Sequence, residues 1–236
     1  MVKTTDKHVI IVAGGKGLRM GADLPKQFLP IGGKPVLMHT IQRFRQYDEN
    51  INIIVVLPHE QQHYWQELCT RHDFTIPHHV ADGGATRFHS SWNGLSAISD
   101  NNDGLVAIHD GVRPFPAIDT ISRCFEAAAQ TGAALPVVPV VDTLRHVGQA
   151  SRTVPRAEYR IVQTPQVFTL SLLRQAFRQA IDSHRDEDLA TAFTDDASVV
   201  EACGHTITLV DGNSENIKIT TPFDLQIAQT LLATEH

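Results

Sequence analysis

The stretch Val9-Ile10-Ile11-Val12-Ala13-Gly14-Gly15-Lys16-Gly17-Leu18-Arg19-Met20 decides how the rest of the chain is read. Four branched aliphatic residues in a row suit a strand buried on both faces. Glycines directly after such a strand let backbone N–H groups come close to a phosphate. Two familiar glycine loops fail here. A Walker loop ends in Gly-Lys-Ser/Thr, which is absent, and the dinucleotide fingerprint needs a third glycine where Met20 stands. Between Gly14 and Gln27 the chain carries three cations, Lys16, Arg19 and Lys26, and one acid, Asp23. Fixed cations around a glycine turn suit a polyphosphate attacked at its α-phosphorus, because negative charge spreads over the equatorial oxygens in that transition state.

Outward from this loop the pattern repeats. Apolar runs at residues 51–57, 105–108 and 133–138 predict further buried strands. Between the runs, Val36, Leu37, Ile41 and Phe44 mark one face of a helix that starts behind Pro35, and residues 59–71, 88–98 and 118–131 predict three more helices. This alternation predicts an α/β fold built on a doubly wound, mostly parallel sheet with right-handed crossovers. Residues 139–163 break the rhythm. Two strands, at 140–146 and 158–162, around a polar stretch at 148–152 predict a β-hairpin arm inserted into one domain spanning 1–236. An arm with so little core of its own is expected to pack on another subunit. Helical patterns return at 170–181, 196–203 and 223–232.

Composition removes several function classes. The 236 residues carry 20 Lys+Arg against 26 Asp+Glu, a net charge of -6, which argues against a nucleic-acid partner bound through bulk charge. Three scattered cysteines, Cys69, Cys124 and Cys203, with no C-x-x-C, support neither a disulfide framework nor a cysteine zinc site. No apolar stretch approaches a membrane span and the polar first residues lack a signal-peptide core, so a cytoplasmic protein without a membrane partner is expected. His59-Glu60-Gln61-Gln62-His63 matches a zinc-protease pattern, but no third ligand can be assigned. His78-His79 is read as a loop pair, and His109 as a residue that orients the loop after it.

Ala13-Gly14-Gly15-x-Gly17-x-Arg19-Met20 with Pro25-Lys26-Gln27 resembles the signature of the sugar-nucleotide pyrophosphorylase superfamily. Within it the chain is most similar to the 2-C-methyl-D-erythritol 4-phosphate cytidylyltransferase family. Further blocks agree in order from end to end: Asp82-Gly83-Gly84 with Arg87 and Ser90, His109 to Pro114, Asp142-Thr143, Thr164-Pro165-Gln166, Thr194 to Ser198, and Asn216 to Thr220. The resemblance implies a Rossmann-like nucleotidyltransferase that joins CTP to a polyol phosphate and releases pyrophosphate, working as a homodimer with Mg2+. Arg19, Lys26 and Lys218 would stabilise the reacting phosphates, with Ala13, Gly14, Gly15 and Gly17 cradling them. Gly84, Ala85 and Ser90 would read cytosine and Arg87 would organise that loop. The family often has an acid where this chain has Ala85, so only a backbone contact would survive there. Asp110 and Gly111 would meet the ribose or the acceptor hydroxyls, and Asp110 could face the metal, which is otherwise held by the triphosphate. Arg113, Thr143 and Thr194 would line the acceptor pocket, with Arg156 and Thr164 reaching it from the neighbouring subunit. Two other readings stay open: a D-ribitol-5-phosphate cytidylyltransferase, and a catalytically silent nucleotide-binding regulator.

Overall fold

A computed structural model of the chain describes residues 6–14, 24–99 and 103–234. The aliphatic run at the start forms β1 (Asp6–Val12), which pairs in parallel with β4 (Asn52–Leu57) on one side and β6 (Gly104–Asp110) on the other. β4 in turn pairs in parallel with β5 (His79–Asp82) at the edge. On the far side of β6 lies β11 (Gln166–Thr169), antiparallel to both β6 and β7 (Ala133–Pro139). β10 (Arg160–Val162) continues along the same side of β7, while β12 (Thr208–Asp211) runs parallel to β7 on its other side. Among the described residues this makes one eight-stranded, mostly parallel sheet. A small β2–β3 hairpin (Pro30–Ile31 and Lys34–Pro35) stands apart from it.

Period-two alternation along the central strands divides the core. Val9, Ile11, Ile53, Val55 and Leu57 face one layer, with α1 (Val36–Tyr47), α2 (His59–Arg71) and α4 (Ile118–Thr131). Ile10, Ile54, Val56, Val106 and Ile108 face the other, with α3 (Arg87–Ser96), α5 (Leu170–Ser183) and α7 (Asp196–Ala202). Helices on both faces of a parallel sheet are the doubly wound arrangement the alternation predicts. α6 (Asp186–Ala192) and α8 (Pro222–Thr234) complete the helices.

Residues 139–163 depart from expectation in register. The arm's ladder is short, β8 (Arg145–His146) with β9 (Arg152–Thr153). The second expected strand is instead β10, which leaves the arm and joins the main sheet, pairing Arg160 with Pro139 and Val162 with Val137. The physical reason is that β7 offers an unpaired edge beyond β11, and backbone groups there are satisfied by the returning chain. His79, expected in a loop, opens the edge strand β5, and His78 accepts a hydrogen bond from Trp65 Nε1 at 3.0 Å.

Candidate active site

Three parallel strands, β1, β4 and β5, and the neighbouring β6 end on one edge of the sheet, where ligands bind in open α/β folds. Their ends wall a cavity of about 620 Å³. Ala13 and Gly14 come from β1, Pro58, His59 and Glu60 follow β4, Gly83 to Arg87 and Ser90 follow β5, and Asp110 ends β6. Lys26 and Lys218 line the same space. Each reaches it because a neighbour is buried. Lys26 opens a 3-10 turn whose Phe28 meets Tyr64 edge-on and stacks on Trp65. Lys218 lies between buried Asn216 and Ile219.

The loop after β5 is closed on itself. Gly84 N–H donates to Ser90 Oγ at 3.1 Å, and the Ser90 hydroxyl donates to Thr86 O at 2.9 Å. Thr86 caps α3, accepting from His89 N–H. A Cβ at position 84 would fall 2.2 Å from that of His89, so only glycine lets the loop lie this close to the helix. The hydroxyl proton of Ser90 is therefore committed, leaving a lone pair for a donor on a ligand.

Charge concentrates at Asp110. Lys218 Nζ lies 2.9 Å and Arg113 Nε 3.1 Å from its Oδ2, while Arg87 Nε stands 3.7 Å from Oδ1. Burial alone would raise this carboxyl, but Lys218, Arg87 and Arg113 hold it well below the usual carboxylate range. Arg87 also pairs at 2.6 Å with Asp196, the first residue of α7. Burial pushes the Asp196 carboxyl up against the pull of Arg87. Arg87 thus ties the loop after β5 to both β6 and α7.

The sequence expectations divide four ways. Ala13, Gly14, Lys26, Gly84, Ala85, Arg87, Ser90, Asp110 and Lys218 line the cavity together. Gly111 and Arg113 sit in the turn just behind it, where Gly111 N–H bonds Val12 O and a Cβ on Gly111 would fall 2.9 Å from that of Ala13. Gly15, Lys16, Gly17 and Arg19 lie outside the described residues. The others are elsewhere in this chain. Thr143 and Arg156 are exposed on the arm, where the Arg156 guanidinium bonds Val141 O, and Thr194 is exposed between α6 and α7. Thr164 is buried beneath Asp110, its Oγ1 accepting from Asp110 N–H at 3.1 Å and meeting His109 Nδ1 at 3.0 Å. The proton of that hydroxyl is committed to His109 in its own chain's β6.

Asp110 does not fit as a ready metal ligand, because its two oxygens already face three cations. Among the described residues no group of three or more His, Cys, Asp or Glu could hold a metal. In the zinc-protease-like run, His59 pairs with Asp82 at 3.2 Å and His63 with Glu67 at 3.3 Å. What sequence reading missed is that His59 and Glu60 nonetheless line the cavity, since a helix starting at the carboxyl end of β4 must place its first turn there. Their position at a strand end, directly after Pro58, was the available signal.

A sequence model of the IspD family, 2-C-methyl-D-erythritol 4-phosphate cytidylyltransferase, matches residues 7–234. The chain is 60% identical over 227 residues to the 2-C-methyl-D-erythritol 4-phosphate cytidylyltransferase of Bacteroides thetaiotaomicron, covering 96% of this chain and 99% of that one. It is 57% identical to the same enzyme of Bacteroides fragilis, with the same coverage. Among solved structures it is similar to the 4-diphosphocytidyl-2C-methyl-D-erythritol synthase of Anaerococcus prevotii, with TM-score 0.81, 26% identity and 97% and 99% of the two chains covered. The Thermus thermophilus 2-C-methyl-D-erythritol 4-phosphate cytidylyltransferase gives TM-score 0.75 at 34% identity, again over 97% and 99%.

Proposed function

The chain belongs to the 2-C-methyl-D-erythritol 4-phosphate cytidylyltransferase family, and from that membership we propose how its own residues carry out the transfer. The reaction is CTP + 2-C-methyl-D-erythritol 4-phosphate → 4-CDP-2-C-methyl-D-erythritol + pyrophosphate. One observation carries the assignment of roles: Lys26, Arg87, Lys218 and Asp110 meet around a single cavity at the carboxyl edge of the sheet.

The acceptor's phosphate oxygen attacks the α-phosphorus of CTP in line, the new P–O bond forming as the bond to pyrophosphate breaks. A phosphate monoester dianion needs no general base, so the protein's work is placement and charge stabilisation. Lys26 and Arg19 stabilise the five-coordinate phosphorus and the leaving pyrophosphate. Lys218, held by Asp110, meets the attacking phosphate. Gly84 and Ala85 contact cytosine through the backbone, with the spare Ser90 lone pair facing its amino group. Asp110 gathers its three cations at one point, and the loosely held Oδ1 accepts a substrate hydroxyl. Mg2+ would be held by the triphosphate's oxygens and water rather than by these side chains, and would neutralise charge on the leaving pyrophosphate.

The arm supplies the rest of the acceptor site from a second copy. Val141 and Val147 are 77% and 83% exposed, and Tyr159, Ile161 and Val162 are exposed as well. So much bare apolar side chain within about 20 residues suits a surface covered by a partner. In that homodimer Arg156 reaches the acceptor phosphate of the neighbouring subunit. No helix among the described residues is long and apolar enough to cross a membrane, and we read the enzyme as a cytoplasmic one.

A pyrophosphate-release assay with CTP and Mg2+ tests this, with methylerythritol phosphate, ribitol phosphate or no acceptor. Release that requires methylerythritol phosphate is expected. Equal turnover of ribitol phosphate would overturn the acceptor, and CTP binding without release from either would leave a silent binder.

A further inference from the structure

Beneath the cavity floor, four residues from three separate segments close a ring of hydrogen bonds. His109 Nδ1 meets Thr164 Oγ1 at 3.0 Å, and Thr164 O accepts from Asn216 Nδ2 at 2.8 Å. Asn216 O accepts from Arg113 Nη1 at 2.8 Å, and Arg113 O meets His109 Nε2 at 2.9 Å. The acceptor-only carbonyls fix every donor. Arg113 O requires Nε2 of His109 to carry the proton, so Nδ1 accepts from the Thr164 hydroxyl, whose oxygen accepts from Asp110 N–H. The Asn216 amide is oriented in the same way, because Thr164 O and Gln163 Oε1 both need a donor facing them. Burial holds His109 neutral, with its pKa down to about 4, as this pattern demands.

Asn216 is the link between the ring and the reactive cations. It is fully buried; its backbone carbonyl holds the guanidinium that also grips Asp110, while its side-chain amide holds Thr164 O. Two residues on, Lys218 reaches Asp110 Oδ2, and Ile219 N–H bonds Val112 O at 3.0 Å, stitching the segment to the turn after β6. Meanwhile Asn216 Oδ1 is buried with no hydrogen-bond partner among the described residues. A buried orphan acceptor costs stability, so the side chain is ill explained by stability alone.

We propose that Asn216 is a positioning residue for the transfer: it closes the ring through Thr164, Arg113 and His109 and thereby sets Lys218 against Asp110. This rests on the reading of Lys218 as the group at the attacking phosphate. The base-reading loop around Gly84 and Ser90 lies outside the ring, so CTP recognition is untouched by it.

The test is a double-mutant cycle on the full-length enzyme, with kcat and both KM values measured alongside thermal melting. Asn216→Ala is expected to lower kcat by roughly 30-fold while KM for CTP stays within about twofold. In a Lys218→Ala background the same change should cost less than about threefold, since the two residues act through one contact. A folded Asn216→Ala enzyme with near-normal kcat would overturn the proposal, and so would a full 30-fold loss repeated without Lys218. Should Asn216→Ala fail to fold, Asn216→Ser keeps a donor and is read by the same two criteria. Near-normal turnover in Lys218→Ala alone would instead bring down the Lys218 reading, and is seen separately.

Discussion

The floor of the cavity and the arm are opposite solutions to placing charge. At the floor, Asp110 is almost buried and three cations converge on it from α3, the turn after β6 and the segment before α8. On the arm, Arg145, Arg152, Arg156 and Arg160 are exposed, and Arg145, Arg156 and Arg160 bond nearby backbone and hydroxyl groups. The first arrangement is finished within one chain and cannot relax without unpairing buried charge. The second is unfinished, and its geometry is free to be set by whatever packs against it. On the roles proposed above, the floor is prebuilt within one chain, and the arm's share of acceptor recognition would be assembled with a second copy.

The contrast breaks most visibly at the floor. Lys218→Ala should lower kcat about 100-fold or more, the loss typical of one transition-state donor; single-turnover product formation would measure it, and a loss under tenfold would show the floor to be less decisive than its geometry. At the arm the effect should be on binding. Arg156→Ala should raise KM for the acceptor roughly tenfold and leave KM for CTP within about twofold, losing one charge-assisted contact to phosphate. Ile161→Asp should shift the species seen by light scattering from dimer to monomer and give the same acceptor defect. A dimer with unaltered kinetics would detach the arm from acceptor recognition.

A smaller effect separates the two regions by pH. His109 is buried, with its pKa lowered from 6.5 to about 4. Between these values the unfolded chain binds the proton and the folded chain does not, so stability falls as pH drops through that window. The loss is about 3 kcal/mol at most. Asp110 adds its own loss only below the ordinary carboxylate value of 3.8. Urea midpoints from pH 7 to 4 should fall for the wild type and fall less for His109→Asn. The comparison isolates His109 from His78, whose pKa burial also lowers. Parallel curves for the two proteins would remove His109 as the source.

What sequence disclosed follows from what physics writes locally. β1, β4, β6 and β7 are continuous aliphatic runs because both faces are buried, and they were legible to within a few residues. β5 was not, since an edge strand of mostly exposed residues carries no such run. β11 is central but only four residues long, and nothing nearby in sequence announces that Val167 and Phe168 slot antiparallel between β6 and β7. Motifs mark the cavity-lining residues at the ends of β1, β5 and β6, but not His59 and Glu60 after β4. The burial of Thr164 against Asp110 and His109 is not legible in sequence, because a hydroxyl gives no hint which strand it will face. Asn216 drew notice only as part of a block, its role being fixed by contacts more than 50 residues away in sequence.

The way the arm leaves and re-enters the sheet has a consequence for how such enzymes diversify. Pro139 and Arg160 face each other across one ladder, so the excursion between them begins and ends at nearly the same point. Its length and contents can change with little loop-closure penalty and no change of register in the strands that carry the nucleotide site. An arm exchanged whole for that of a relative would change the side chains it presents while leaving β1, β4, β5 and β6, and the cavity at their ends, in register.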